Sequence, residues 1–220
     1  LYTWMNNPES QMVAVTVRAG SKAEMALPDG TFVHLNAATN LEYDVNNSKQ
    51  RLVKLSGEAF FDVAKNPDCP FKVIINDLQI EVVGTSFNVK TYKKDIVETS
   101  LLSGRIRISG GSLPHEYTLS PGQKATYSAM DRTLRISKAD AHVEAGWRDN
   151  YLIFESTPLI DVIAQIERWY GVEIRLHHKQ IAQDLLSGSF RNESIQNVIR
   201  SLSIQYGFKY EIHKDIITIY

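Results

Sequence analysis

The residues best equipped for chemistry in this chain are six histidines, one cysteine and a few polar side chains set inside strand-like motifs. His34, His115, His142 and His213 stand alone, and no HExxH or CxxC spacing is present to assemble a metal site. His177 and His178 are adjacent, so in an extended segment they point to opposite sides and cannot chelate together. Cys69 is the single cysteine, which rules out an intrachain disulfide. It reads as a small, half-buried residue in a turn beside Pro70. No nucleophile elbow, P-loop or GxGxxG occurs, and no carboxylate pair stands in an identifiable cleft. The expectation is no enzyme, no metal and no cofactor.

Asp62, in the stretch GEAFFDV (57–63), and Asn88, in GTSFNV (84–89), are polar residues on strand faces opposite Phe61 and Phe87. They are placed to bond a neighbouring turn or to line a site. Gly57 and Gly84 favour the first reading, because glycine inside a strand pattern marks a bulge or a close backbone approach. Gly84→Val is therefore expected to lower stability without removing any chemistry.

The elements that must position these residues fall into two kinds. Residues 154–174 and 190–210 match without a gap at an offset of 36 residues. The match superposes Phe154 on Phe190, Leu159 on Ile195, Val162 on Val198, Ile163 on Ile199, Ile166 on Leu202, Tyr170 on Tyr206 and Gly171 on Gly207. Such self-similarity marks one supersecondary unit used twice. In the first copy Thr157 is expected as N-cap, with Pro158 at the first helical position and Gly171 as the left-handed terminator. Leu159, Val162, Ile163, Ile166 and Tyr170 recur at spacings of three and four and form one apolar face. Ser194 is the expected cap of the second copy. Short apolar strands flank both helices, and residues 216–220 add a last strand after a turn at Lys214 and Asp215. Each copy alone buries too little apolar surface to fold, so the two should share a core.

Before residue 140 the pattern is strand after strand. Val13, Val15 and Val17 alternate with small or polar residues, and a turn at Leu27, Pro28, Asp29 and Gly30 precedes Val33 and Leu35. Polar breaks at 36–40 and 44–49 flank a short apolar stretch. Ala59, Phe61 and Val63, then Phe71, Val73 and Ile75, then Leu78, Ile80 and Val82, then Phe87 and Val89, each share a face by the two-residue period. About a dozen strands at this density predict an all-β sandwich, jelly roll or coiled β structure, followed by a small α+β domain.

The apolar fraction of 43% and charged fraction of 22% are ordinary for a globular protein. Divided before Trp147, the chain carries 16 basic and 16 acidic residues, then 8 and 9, so neither part is basic enough for a nucleic-acid partner. No apolar run is long enough to span a bilayer. The chain begins at Leu1 without a leader, which leads to the expectation that it is a fragment or a processed chain. Tyr2 and Trp4, near that start, suit the end of a membrane helix or a cut in the chain.

Several segments in this order carry a resemblance: LPDGTFVHLNAATNLEYD (27–44), LSGEAFFDVAKNPDCPFKV (55–73), EVVGTSFNVKTY (81–92), SLLSGRIRI (100–108) and LSPGQKATY (119–127). Together they resemble the periplasmic region of FecR-type anti-sigma regulators, in the form common in Bacteroidetes. The doubled unit from Trp147 resembles the domain that follows it there, which is related to the secretin and TonB short N-terminal domain. The resemblance implies residues 1–12 as a lead-in after a membrane helix, 13–140 as a FecR-like all-β domain and 147–220 as the short α+β domain. The motif positions Gly57, Phe61, Asp62, Val63, Pro70, Phe71, Gly84, Thr85, Phe87, Asn88 and Val89 are expected to be structural.

In such regulators a cytoplasmic domain binds an extracytoplasmic-function sigma factor, and one membrane helix links it to the periplasmic region. The N-terminal signalling domain of an outer-membrane TonB-dependent transducer supplies the signal, and the sigma factor is released, often by proteolysis. The resemblance thus implies the periplasmic sensing half, with sigma binding carried by a cytoplasmic domain that this chain lacks. Strand addition is the natural physics for such a contact. The expected edge is the terminal strand of Ile216, Ile217, Thr218, Ile219 and Tyr220. Two alternatives stay open: a carbohydrate-binding module using Tyr2, Trp4, Tyr43, Tyr92, Tyr117 and Tyr127 as stacking platforms, and a secretin-like assembly subunit.

Overall fold

The computed structural model describes residues 11–45, 51–177 and 179–220. The expectations for the lead-in with Tyr2 and Trp4, for the later part of the polar break at 44–49, and for His178 lie outside the described residues. The described residues divide into two compact units: those within Leu1–Thr16, Ala23–Leu35 and Thr39–Ala139 form the first, and those within Val17–Lys22, Asn36–Ala38 and Asp140–Tyr220 the second.

The first unit carries strands β1 (Met12–Val17), β2 (Ala23–Ala26), β3 (Phe32–Leu35), β4 (Thr39–Asp44), β5 (Arg51–Ser56), β6 (Glu58–Asp62) and β7 (Phe71–Ile75). It continues with β8 (Leu78–Val82), β9 (Ser86–Lys90), β10 (Ile96–Ser103), β11 (Ile106–Gly110), β12 (Tyr117–Leu119), β13 (Gln123–Ser128) and β14 (Thr133–Lys138). They build two seven-stranded sheets, in the orders β1-β4-β5-β7-β8-β11-β12 and β14-β13-β10-β9-β6-β3-β2. The chain crosses between sheets at β6, which leaves β5 and β7 paired in parallel, with Val53 opposite Val73. Alternation is clean in β7 and β8, where every second residue is buried. Phe61 of one sheet meets Phe71 of the other with ring centroids 5.8 Å apart, so the inner faces pack as a sandwich. The break expected at 36–40 ends sooner: Thr39 and Asn40 already belong to β4, because Thr39 is buried and its hydroxyl donates to the Glu58 carbonyl and accepts from the Glu58 amide.

The second unit holds α1 (Ala141–Ala145), β15 (Tyr151–Pro158), α2 (Leu159–Tyr170), β16 (Glu173–Leu176), β17 (Leu185–Arg191), α3 (Ile195–Tyr206), β18 (Tyr210–His213) and β19 (Ile216–Ile219). The two copies do share a core: Val162, Ile163 and Ile166 of α2 cluster with Val198, Ile199 and Leu202 of α3 and with Ile217 and Ile219 of β19. Phe154 and Phe190, equivalent in the repeat, meet edge to face at 6.4 Å. Gly171 and Gly207 both end their helices in the left-handed region, at φ +69° and +71°.

The two helix starts differ. Ser194 caps α3 as expected, its hydroxyl accepting from Asn197 N at 3.2 Å. Thr157 does not cap α2. Strand β15 runs on to Pro158, which itself occupies the cap position, and the Thr157 hydroxyl is turned to the Glu155 backbone instead. The Leu159 amide is satisfied by the Asp184 carbonyl at 2.8 Å.

Candidate functional site

The motif residues sit on adjoining elements. β6 and β9 pair antiparallel with Phe61 opposite Phe87, and both rings are fully buried and stacked at 5.2 Å. On the other face Asp62 accepts a hydrogen bond from Ser86 Oγ at 2.7 Å, and Asn88 Nδ2 donates to Glu58 Oε1 at 3.0 Å. The Val63 amide donates to the Thr85 carbonyl, and Thr85 Oγ1 to the Arg105 carbonyl at 3.1 Å. Val89 is fully buried opposite Ala59. A methyl on Gly84 would stand 2.9 Å from Lys65 Cα, and one on Gly57, at φ +116°, 2.6 Å from Thr39 Cα. Both glycines therefore mark close backbone approaches. These polar groups bond neighbouring strands and turns.

Arg51 organises the turn beside Pro70 and Phe71, and nothing in its local sequence announced it. Its buried guanidinium donates to the carbonyls of Cys69 at 2.6 Å, Ala64 at 2.6 Å and Asn66 at 3.1 Å. It also pairs with the Asp29 carboxylate at 3.2 Å, so a single planar cation ties three carbonyls to the turn before β3.

Histidines are dispersed. His34 bonds Glu24 at 3.0 Å, His115 stacks on Tyr117, His142 meets Tyr151 edge to face and His177 stacks on Tyr220. Among the described residues no group of three or more potential metal ligands comes together. A cavity of about 320 Å³ opens in the first unit beside the β7–β8 turn and the start of β10. Its charges are of both signs, Lys93 and Lys94 with Asp77 and Asp95, and converge on no single chemistry. Tyr127 lines it but is spoken for, its buried hydroxyl donating to the Gly111 carbonyl. Near this end Glu98 is partly buried, which alone would raise its pKa. Lys124, Lys90 and Lys93 outweigh burial and hold the carboxyl below the ordinary glutamate value.

The expected docking edge is not an edge. β19 is the middle strand of its sheet, parallel to β16 on one side and antiparallel to β18 on the other. Ile217 and Ile219 are buried in the core, while Tyr220 is exposed and its amide donates to the Lys209 carbonyl at 2.9 Å. Hydrophobic, β-branched composition marked Ile216, Ile217, Thr218 and Ile219 as a strand, and it is burial between two partners that this composition reflects.

The true edges of that sheet are β16 and β18. Along β16 the Glu173 and His177 amides face β19, and the outward Ile174 amide is taken by the Glu167 carboxylate at 2.7 Å. Along β18 the Lys209 carbonyl faces inward to Tyr220, so by alternation the backbone groups of Tyr210 and Ile212 face outward. Among the described residues, β18 has β19 as its single neighbour in the sheet order. Ile212 is exposed, and the strand runs without a register shift. The separate β15–β17 ribbon is irregular, with a register shift between Phe154 and Thr157 and Ser156 at φ +45°. Such bulges blunt an edge, which leaves β18 as the regular one.

No curated protein sequence gave a match. The family described as FecR protein matches residues 13–107, and the one described as FecR, C-terminal, matches residues 151–219. Two crystal structures of an inferred anti-sigma factor from Parabacteroides distasonis ATCC 8503 are similar over nearly their whole length. Both are 30% identical to this chain. One has a TM-score of 0.85, with 96% of this chain and 99% of that one covered; the other has 0.84, with 94% and 98%. A β sandwich followed by a doubled α+β unit thus falls in a regulatory class of protein. The chain belongs to the FecR family. Among the described residues, no helix is long and apolar enough to cross a membrane.

Proposed function

We propose that this chain is the periplasmic sensing region of a membrane-bound anti-sigma regulator. Its second unit receives the N-terminal signalling domain of an outer-membrane TonB-dependent transducer, and a cytoplasmic domain of the same regulator controls an extracytoplasmic-function sigma factor. Family membership and the likeness to an inferred anti-sigma factor support the regulator role. The single observation that carries the receiving role is the open, regular β18 edge, with the backbone of Tyr210 and Ile212 turned outward. Such an edge offers main-chain hydrogen bonds for affinity and alternate side chains for selectivity. Residues 216–220 serve this site from behind, as the strand on which β18 is laid.

The test is calorimetry of the full chain against isolated signalling domains of transducers from the same source. Saturable binding of one candidate supports the reading. A folded chain that binds none of them overturns it.

A further inference from the structure

The three-stranded sheet of the second unit has two faces of opposite character. On β18, Tyr210 stands opposite Ile219 and Ile212 opposite Ile217, so both share the face that carries the buried core. Glu211 stands opposite Thr218 and His213 opposite Ile216, on the other face, and both are exposed. The cation across β19 from Glu211 is Arg175, opposite Thr218 on β16, and its guanidinium is held by Glu173 at 2.7 Å. Among the described residues the Glu211 carboxylate is bonded by the Tyr220 hydroxyl alone, at 3.4 Å, and pairs with no cation.

An antiparallel strand added to β18 bonds the outward backbone of Tyr210 and Ile212, and these two hydrogen-bonded positions flank one non-bonded position, Glu211. At a non-bonded pair the facing Cα atoms are about 4.5 Å apart, the closest side-chain approach in such a ladder. Glu211 therefore meets directly the charge of the residue laid against it. A second copy of this chain fits badly. Joining Tyr210 to Ile212 of the copy in both directions sets Glu211 against Glu211, and like charges directly opposite are destabilising. A basic residue in the same place supplies the cation that Glu211 lacks.

We propose that Glu211 sets the selectivity of the β18 edge: the strand received there is antiparallel, with a lysine or arginine opposite Glu211 and apolar residues opposite Tyr210 and Ile212. The apolar pair extends the core face past Ile212, which is 37% exposed. The same carboxylate keeps the edge from closing on a second copy, as charged residues do at free strand edges. This selectivity rests on the receiving role proposed above, but peptides replace the signalling domain in its test, so either can fail alone.

Nitrogen-15 NMR titration of the full chain decides it, with the end-blocked peptides Thr-Val-Lys-Val-Thr and Thr-Val-Glu-Val-Thr as probes. The lysine peptide is expected to shift the Tyr210 and Ile212 amides and to bind the parent at least about fivefold more tightly than the glutamate peptide. Glu211→Lys should reverse that preference, and Glu173→Lys, on the far edge of the same sheet, should keep it. No shift at Tyr210 and Ile212 with either peptide, equal affinities, or a preference that Glu211→Lys leaves standing overturns the proposal. An equal reversal by Glu173→Lys also overturns it, because the peptides would then sense the general charge of the sheet.

Discussion

Phe61 and Phe71 come from opposite sheets of the first unit and meet with ring centroids 5.8 Å apart at 55° between planes. Phe87 stacks on Phe61 at 5.2 Å, and all three side chains are almost wholly buried. The motif phenylalanines are therefore the bolt between the sheets. Phe61→Ala should destabilise the first unit by about 3–5 kcal/mol. Urea unfolding followed by near-ultraviolet circular dichroism would show it as a lowered midpoint; a shift equivalent to less than about 1 kcal/mol would contradict the packing argument.

Gly84 tolerates no side chain for a reason of space, since its φ is ordinary and Lys65 backbone stands in the way. Gly84→Val is expected to lower the melting temperature by several degrees, at about 1–3 kcal/mol of overpacking. An unchanged melting temperature would remove the close approach as the explanation of this glycine.

Glu98 makes the first unit sensitive to acid. Its folded pKa lies below the ordinary value, so it stabilises at neutral pH and that contribution is lost as pH falls through the folded value. Glu98→Gln should be less stable than the parent at neutral pH, and the gap should narrow on acidification. Lys124→Met, which removes the cation 2.9 Å from the carboxylate, should act in the same direction. Denaturation midpoints measured from neutral to strongly acid pH would test this; parallel curves for parent and variants would contradict it.

Deleting residues 216–220 should unfold the second unit as a whole, because β19 bridges β16 and β18 and carries Ile217 and Ile219 into the core. Loss of slow-exchanging amides in α2 and α3 is the expected reading. Protected helices in the deletion variant would contradict the central place of β19.

Periodicity made the main elements legible: the repeat, its two buried helix faces and the strands at 71–75 and 78–82 all follow from side-chain spacing. Spacing reports which face is buried and not which neighbour buries it. That is why 216–219 read as an edge while lying between two strands. The Thr157 cap failed because a cap depends on the direction from which the chain enters, and β15 continues through Pro158. Arg51 was illegible for a related reason. Its acceptors, three carbonyls and the Asp29 carboxylate, lie between 13 and 22 positions away, and no local pattern encodes such partners.

The most direct measurement is the hydrogen-exchange footprint of the chain in complex with the transducer signalling domain that binds it, with Ile212→Pro measured alongside. Proline at this outward position removes an edge donor and leaves the β19 pairing in place. The expected result is new protection at Tyr210 and Ile212, and loss of binding by Ile212→Pro with its melting temperature retained. Protection confined to the first unit, or full affinity in the folded proline variant, would contradict the receiving edge.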